Sequence, residues 1–462
     1  MSAPLVSVVV PARDAERFLS EALESALAQP VELEVLVCDD GSRDRTARIA
    51  ASFAARDARV RLVRRGRGSG VVAARNALVS AARGRYVAFL DADDVLLPGA
   101  LAAQVAVLER RADVALVHAA AEIIEEGGRE LPAWRRPFSS DVVEDGLAAF
   151  GELVLCNEMF TSTVVVRRSA LRAAGPFVSV GPSSSDWDMW LRVALHGAVA
   201  YRAAPVARYR QHAGSISRAA TASGARLRCD ARVVKRALHF SPRIARQDVQ
   251  WSGGERRALA RRARSALAAK ALLAAGDFQT RGERRSALRA LLLAHARPDL
   301  LRAGLAKLAR AIVAGDDYDA YVAGNSLLDR LAGALVGTRY GGLLADRAAQ
   351  DPDWEATLRR IARTVQAVTP EDAVLGTVTK WDPTLLRLSG RRGRNFPREV
   401  YPPDGAAAVA HLEEQRAQGL SHLVVPSSSL WWLDHYDGLA ERLPAPLHAD
   451  PDCLIFELDA AA

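Results

Sequence analysis

The stretch LVSVVVPARD, residues 5–14, decides the fold, because it predicts a buried strand followed at once by a polar turn. Residues 5–10 are mostly apolar and β-branched, as is typical of a strand buried on both faces, and Pro11 is expected to end the strand. A second strand of this kind is predicted over residues 33–38, and residues 18–28 place apolar side chains on one helical face. This order of elements predicts a parallel strand–helix–strand unit.

Two acidic turns follow predicted strands at what should be one edge of the sheet. Residues 39–42, DDGS, follow the second strand, and residues 91–94, DADD, follow a third strand predicted over residues 86–90. In open parallel sheets, ligands bind outside the carboxyl ends of the strands. Converging carboxylates repel each other unless hydrogen-bond donors or a cation satisfy them, and hard divalent cations prefer oxygen ligands. The two turns therefore predict a crevice for a metal-bridged diphosphate.

Five segments in a fixed order carry a resemblance to a known family. They are SVVVPARD (7–14), VLVCDDGS (35–42), AARNALVSAARG (73–84), YVAFLDADD (86–94) and SSDWDMWLR (184–192). Through them, the region from about residue 5 to residue 217 resembles a family 2 glycosyltransferase with a GT-A fold. The resemblance implies an α/β chain whose first domain holds the Rossmann-like sheet of nucleotide-diphospho-sugar transferases. It also implies inverting, metal-dependent sugar transfer to a saccharide or lipid-linked acceptor, in bacterial cell-surface polysaccharide biosynthesis.

The resemblance also implies which residues hold the donor, a nucleoside-diphosphate sugar for which we expect UDP as the nucleotide. The expected donor residues are Pro11, Ala12, Arg13, Asp39, Asp40, Arg75, Asp91 and Ala92. Arg13 occupies a region where the family commonly has an aromatic residue that stacks on the base. An arginine plane can stack on a base as well, so the base preference stays open.

The metal and the catalytic base follow from two later motifs. Mn²⁺ or Mg²⁺ is expected between Asp93 and His212, the latter in a Tyr-Arg-x-His-x-x-Ser-x-Ser tail over residues 209–217. Asp186 is the expected base, because it starts a helix that resembles the family's Glu-Asp-x-x-x-Trp-x-Arg pattern, with Ser185 in place of the glutamate. A carboxylate at a helix N-terminus is stabilised as the anion. The residues expected on the acceptor side are Trp187, Trp190 and Arg192.

Each motif alone has a purely structural interpretation as a turn, a helix cap or core, and only their order favours the transferase. Two other functions are alternatives to the transferase. One is a catalytically silent nucleotide-binding scaffold that recruits partners through its C-terminal parts. The other is a nucleotidyltransferase, which normally has a glycine-rich phosphate loop after the first strand, a feature missing from residues 11–14.

The rest of the chain changes character after the tail motif. The predicted segments are a glycosyltransferase domain over residues 1–217, an α-helical region over 218–370 and a small α/β domain of unknown function over 371–462. Helices are expected over residues 257–275, 283–296 and 300–314, with a turn at Gly276–Asp277. The last segment is expected to hold strands over residues 373–379, 422–426 and 453–458 and helices over 405–416 and 431–443.

An aromatic cluster within residues 371–462 has two possible interpretations. Trp431, Trp432, His435 and Tyr436 predict either a sugar-binding platform, since aromatic rings offer apolar faces to sugars, or part of the core.

Composition narrows the class of protein and its surroundings. The net charge of +8 comes almost wholly from scattered arginines, and no nucleic-acid-binding motif accompanies them. The four cysteines lack metal-ligand spacing and are expected to be reduced, mostly buried thiols. Neither a leader-like start nor an unbroken run of 18 apolar residues is evident. We therefore expect a cytoplasmic protein, with peripheral association at the inner face of the membrane, and leave the oligomeric state open.

Overall fold

The computed structural model describes most of the first half of the chain and parts of the second. The described residues are 4–63, 68–131, 137–244, 252–280, 283–294, 305, 308–309, 312, 327, 331, 334–335, 338–340, 354–378, 384–396, 405–426, 429, 432–433, 436 and 438–458.

Ten of the described strands form one mixed sheet. They are β1 Val6–Ala12, β2 Leu33–Asp39, β3 Val60–Leu62, β4 Tyr86–Phe89, β5 Val95–Leu96, β6 Val114–Glu125, β7 Glu130–Leu131, β8 Val142–Glu144, β9 Val165–Arg167 and β10 Ala198–Gln211. The spatial order is β3-β2-β1-β4-β9-β6-β10-β5, with β7 beside β6 and β8 beside β10. The first four strands of that order run parallel, and β9 is antiparallel to both neighbours. Parallel β1, β2 and β4 therefore direct their carboxyl ends to one edge.

Helices cover this sheet and continue beyond it. They are α1 Leu19–Leu27, α2 Thr46–Arg56, α3 Val71–Ala81, α4 Ala100–Arg110, α5 Gly146–Leu153, α6 Arg168–Ala174, α7 Ser185–Ala194, α8 Ile216–Ala222, α9 Ala225–Ile244, α10 Gly253–Thr280 and α11 Arg284–Ala294. The predicted first helix is confirmed as α1, which buries Leu19, Ala22, Leu23 and Ala26 against the sheet.

A second, smaller sheet lies near the C-terminus. Its described strands are β11 Val374–Thr377, β12 Arg392–Asn395, β13 His422–Pro426, β14 His448–Ala449 and β15 Cys453–Glu457, in the order β12-β11-β13-β15-β14. The helices described with it are α12 Trp354–Val368, α13 Thr384–Ser389 and α14 Gly405–Ala417. The three strands predicted here are confirmed as β11, β13 and β15.

The first strand extends further than predicted. Pro11 lies inside β1, which continues to Ala12 and pairs there with Asp39 of β2. On its other side, β1 pairs with β4 only as far as Val9. Proline lacks a backbone N–H, but a strand position with only one hydrogen-bonding neighbour tolerates it.

Two predicted helix boundaries are wrong. The expected turn at Gly276–Asp277 lies inside α10, where Leu272, Ala275 and Phe278 continue the buried helical spacing. This packing outweighs the cost of about 1 kcal/mol that glycine adds in a helix. The helix expected over residues 431–443 is replaced, within residues 438–443, by a turn at Gly438 and a short 3-10 helix, Ala440–Arg442. Gly438 has a φ of 80°, which α-helical backbone does not adopt. The helix predicted over residues 300–314 lies largely outside the described residues.

The described part of the aromatic cluster belongs to the core. Trp432 and Tyr436 are both buried, with ring centroids 4.7 Å apart, and Phe396 packs on the tryptophan. Trp431 and His435 lie outside the described residues. The core interpretation therefore holds for Trp432 and Tyr436.

The chain divides into two compact units, residues 1–266 and 267–462. The first unit extends past the predicted boundary at residue 217 because α9 packs against α7 and α8. The three predicted segments stay predictions.

Cys38, Cys229 and Cys453 are buried, as expected for structural thiols.

Among the helices of the described residues, none is both long and apolar enough to cross a bilayer.

A glycine contact gives the first testable prediction. A Cβ on Gly146, the first residue of α5, would overlap the carbonyl oxygens of Ala194 and Gly197, whereas a Cβ on Gly151 of the same helix would meet nothing within 4 Å. Gly146→Ala is expected to cost about 1–3 kcal/mol of stability, seen as a lower apparent Tm in a thermal melt. Gly151→Ala is the matched control and should leave the Tm unchanged or raise it, because alanine favours helix. Equal melting of the two variants would contradict the close approach of α5 to the end of α7.

Candidate functional site

The carboxyl ends of β1 and β2 are joined by backbone contacts that hold the first acidic turn in place. Ala12 pairs with Asp39, and the N–H of Asp40 donates to the carbonyl of Ala12 at 2.9 Å. The Asp39 carboxylate accepts hydrogen bonds from the N–H and the hydroxyl of Ser42, so it caps its own turn. The turn places Asp40 next to the N-terminus of α3.

The buried Asp40 carboxylate connects this turn to the start of α3. Its two oxygens accept backbone N–H groups of Ser69 at 2.9 Å and Gly70 at 2.8 Å. Gly70 has a φ of 82°, a conformation that favours glycine and lets both amides face the acid. Arg13 Nη1 lies 3.8 Å from Asp40, and about half of the Arg13 side chain is exposed. These contacts bring two of the predicted donor residues, Arg13 and Asp40, together.

Three predicted donor residues offer mainly backbone. Ala12 and Ala92 have buried side chains that pack in the main core, and Pro11 lies within β1. Their contact with a nucleotide would therefore be made by main-chain atoms.

A buried ion pair lies at the centre of the edge. Arg75 of α3 donates from Nη2 to Asp91 Oδ1 at 2.9 Å, and only 7% of its side chain is exposed. Burial disfavours the guanidinium cation, but the carboxylates of Asp91, Asp186 and Asp93 outweigh burial and raise the pKa of Arg75. Among the described residues, the buried Nε of Arg75 finds no hydrogen-bond partner. One cation thus faces three acids.

The acids retain a surplus of negative charge. Burial raises the pKa of Asp91, and Asp93 and Asp186 add to that increase while Arg75 opposes it. The predicted catalytic base therefore lies close enough to the donor-side acids to interact with them electrostatically. Such a cluster favours a cationic or proton-donating ligand.

A short 3-10 turn, Thr161–Thr163, links the acids, and the sequence reasoning missed it. Ser162 donates its hydroxyl to Asp94 at 2.5 Å and accepts the N–H of Asp91 at 3.1 Å. Thr161 donates its hydroxyl to Asp186 Oδ2 at 3.1 Å. Adjacent residues of one turn therefore contact both the DADD segment and the base candidate. The polar triplet TST before β9 was the available signal.

The sequence reasoning also did not assign Arg210 of β10, which supports the second acidic turn through contacts with Asp93 and Asp94. Its N–H donates to Asp94 at 2.9 Å, and its Nε donates to the carbonyl of Asp93 at 2.9 Å. Its Nη2 contacts Glu21 at 2.6 Å, and the guanidinium lies over the Phe18 ring. Burial, with Asp93 and Asp91 nearby, holds the pKa of Asp94 well above its ordinary value. Asp94 is thus a structural acid held by donors on both oxygens.

Asp93 and His212 lie together, as the two motifs predict. The Nε2 of His212 is 2.9 Å from Asp93 Oδ2, and both side chains are partly exposed. Within the described residues, no group of three or more histidine, cysteine or acidic side chains forms a complete metal site. Mg²⁺ commonly uses one or two carboxylates together with substrate phosphates, so this donor pair fits a divalent ion that a diphosphate completes.

Asp186 occupies the first turn of α7 and remains partly exposed. The predicted acceptor-side residues, in contrast, point into the interior. Trp187 and Trp190 are fully buried, and Trp187 donates its indole N–H to the carbonyl of Leu153 at 2.7 Å. Arg192 is buried as well and pairs with Asp188 at 2.9 Å. This corrects the expectation for these three residues, because their side chains have no surface to offer an acceptor.

The sequence of this chain is similar to a family model and to several known proteins. Residues 7–157 match the family model described as Glycosyl transferase family 2. The putative glycosyltransferase EpsE of Bacillus subtilis strain 168 is 34% identical over 199 residues, which are 41% of this chain and 67% of EpsE. The uncharacterized glycosyltransferase EpsJ of the same strain is 42% identical over 92 residues, 20% of this chain and 26% of EpsJ. The chain thus spans about a quarter of EpsJ.

A weak match to a solved structure was also found. The crystal structure of Staphylococcus aureus TarS 1–349 in complex with UDP-GlcNAc is 18% identical, with a TM-score of 0.47, and the match covers 70% of this chain and 90% of that one.

The contacts of Ser162 give the second prediction. Ser162→Ala removes the donor to Asp94 and the acceptor for the Asp91 N–H, and a buried group left without its partner costs about 1–3 kcal/mol. We expect a lower apparent Tm for this variant. Ser80→Ala is the control, since Ser80 is exposed on α3 and should melt like the parent protein. A parental Tm for Ser162→Ala would show that the turn does not support the acids.

Proposed function

The chain belongs to glycosyltransferase family 2, and from that premise we propose that it transfers a sugar, with inversion, from a nucleoside-diphosphate donor to a saccharide or lipid-linked acceptor. Its glycosyltransferase domain and its relatives support an enzyme over a catalytically silent scaffold. We further propose that the donor is a UDP-sugar, that Mn²⁺ or Mg²⁺ is required, and that the product belongs to bacterial cell-surface polysaccharide.

One observation carries the mechanism. Thr161 holds the carboxylate of Asp186, and the next residue, Ser162, holds the segment that contains Asp91 and Asp93. The base candidate and the donor-side acids are therefore fixed by one short turn. This supports a single site in which an acceptor hydroxyl and a donor sugar meet.

The chain's own residues divide the work of the reaction. Arg75, Asp40 and Asp91 hold the nucleotide part, and the exposed Arg13 lies where it can stack on the base. Asp186 accepts the proton of the acceptor hydroxyl as that oxygen bonds to the anomeric carbon from the face opposite the diphosphate. The bond between carbon and diphosphate oxygen breaks, and its electron pair leaves with the diphosphate.

Asp93 and His212 would hold the divalent ion together with the diphosphate oxygens. When bound, the ion supplies positive charge to the leaving diphosphate. Without this charge, the surplus of carboxylates described above would repel the donor.

The net charge of +8 supports a place of action near anionic lipid, because basic surfaces are attracted to such membranes. We propose that the enzyme works at the cytoplasmic face of the membrane, where a lipid-linked acceptor would be presented.

The donor and metal requirements are tested together. A panel of UDP-, GDP- and dTDP-sugars is incubated with Mn²⁺, with Mg²⁺ and with chelator, and released nucleoside diphosphate is measured. We expect one donor to turn over with metal only, and Asp93→Ala to lose this turnover because a carboxylate ligand is gone. Turnover that survives in chelator would contradict the metal requirement, and absence of turnover for every donor would contradict the enzyme itself.

The catalytic base is tested by Asp186→Asn. An amide cannot accept the acceptor's proton, so we expect turnover to fall by about 10²–10⁴-fold. The dissociation constant for UDP in the presence of Mn²⁺ should stay near that of the parent, because Asp186 does not hold the nucleotide. Asp113→Asn is the control, since Asp113 is exposed and forms an ion pair with its near neighbour Arg111. Unchanged turnover in Asp186→Asn would remove Asp186 from the mechanism.

A further inference from the structure

The first turn of α7 is entered through a strained backbone. Ser184, the residue before α7, has a φ of 66°, and Gly181 has a φ of 134°. A non-glycine residue in the left-handed region persists only where its surroundings enforce it, and such residues concentrate at functional sites. Ser184 makes no side-chain hydrogen bond to the start of α7. The side-chain contacts that hold residues 180–184 include several from another element.

That element is α9, which follows the predicted transferase domain in sequence. Asp230 accepts the hydroxyl of Ser184 at 2.9 Å, and Arg232 donates to the carbonyl of Val180 at 3.0 Å. A Cβ on Gly181 would overlap the sulfur of Cys229. These three α9 side chains, and a fourth described in the next paragraph, lie on about two turns of the helix. The segment over residues 180–184 is thus held against α9.

The fourth contact reaches α7 itself. Arg236 donates from Nε to Asp188 Oδ1 at 2.8 Å, while the other Asp188 oxygen receives the buried Arg192 at 2.9 Å. Asp188 is only 2% exposed, so the two guanidinium groups satisfy a carboxylate that has almost no water. Removal of Arg236 would leave one oxygen of a buried acid without its partner.

Asp188 and Asp186 lie on roughly opposite sides of α7. Residues two apart on a helix differ by about 200° around its axis. Asp188 therefore faces α9, while Asp186 faces Thr161 and the acids. Any rotation or shift of the first turn that α9 permits would move the Asp186 carboxylate. A displacement of about 1 Å is enough to lower a rate by about 100-fold.

We propose that α9 positions the catalytic base: Arg236, through Asp188, and Asp230, through Ser184, are positioning residues for Asp186. The inference deepens the proposed function and rests on it. It also makes α9, which the family motifs do not reach, part of the working transferase.

The first test compares two arginines of the same helix in the full-length chain. Arg236→Ala is expected to lower the kcat of donor hydrolysis, with water in place of the acceptor, by about 10- to 100-fold. The dissociation constant for UDP with Mn²⁺ should not change. Arg228→Ala is the matched control, since Arg228 is exposed on α9, and should keep the parental kcat. Equal loss in both variants, a parental kcat in Arg236→Ala, or a loss confined to UDP affinity would overturn the proposal.

A second test asks whether the effect passes through Asp186. In an Asp186→Asn background, Arg236→Ala should cause no further loss of turnover, because the group that it positions is already gone. A full additional loss would mean that Arg236 acts by another route, against the proposal.

A third test leaves the contact between Arg236 and the buried Asp188 carboxylate in place. It can therefore decide the question if Arg236→Ala does not fold. Asp230→Ala should lower kcat, and Asp230→Asn should restore it, because an amide oxygen still accepts the Ser184 hydroxyl. Equal activity of the two variants would count against the proposal. If the parent protein turns over no donor, the proposed function falls and takes this inference with it. If Asp186→Asn abolishes turnover but neither Arg236→Ala nor Asp230→Ala lowers it, only this inference falls.

Discussion

The buried guanidinium of Arg75 is the interaction on which the candidate site depends. It pairs with Asp91 and lowers the electrostatic cost of holding Asp93 and Asp186 nearby. Several carboxylates gathered at one sheet edge would otherwise repel each other. One cation does not neutralise three acids, so these carboxylates keep a negative charge that suits a cation. The Arg75 pair therefore helps to hold the carboxylates together at this edge, and we propose that a divalent ion satisfies the charge that remains.

The places of the two acidic turns could be predicted from sequence because each turn follows a strand. Asp40 comes directly after β2, and Asp91 follows β4 after one further residue; the parallel register brings those strand ends together. Local pattern and one topological rule were sufficient there. Ser162 and Arg210 could not be found in this way, because they reach the acids from distant segments. The TST triplet and the tail motif in which they stand do not show which acids they contact, because those contacts depend on tertiary packing.

The errors have related causes. Trp187, Trp190 and Arg192 were assigned to the acceptor because they follow Asp186 in a motif, yet motif position does not reveal which side of a helix faces solvent. Gly276 was interpreted as a turn from its own preference, and the buried neighbours of α10 overrode that preference. Pro11 was expected to end a strand, and the missing neighbour on one side of β1 let the strand continue. In each case the surroundings of a residue decided more than its type.

These observations separate two kinds of constraint within one active site. Asp40 and Asp91, two of the residues proposed for the nucleotide, sit on short loops after strands, and adjacent backbone N–H groups hold the Asp40 carboxylate. The proposed base sits on a helix whose first turn has a strained entry, and its orientation depends on contacts from Thr161 on one side and α9 on the other. A loop motif can therefore identify the donor site while leaving the precision of the base to segments that carry no motif. In this chain the motifs end at residue 217, whereas the support that we propose for Asp186 continues to Arg236.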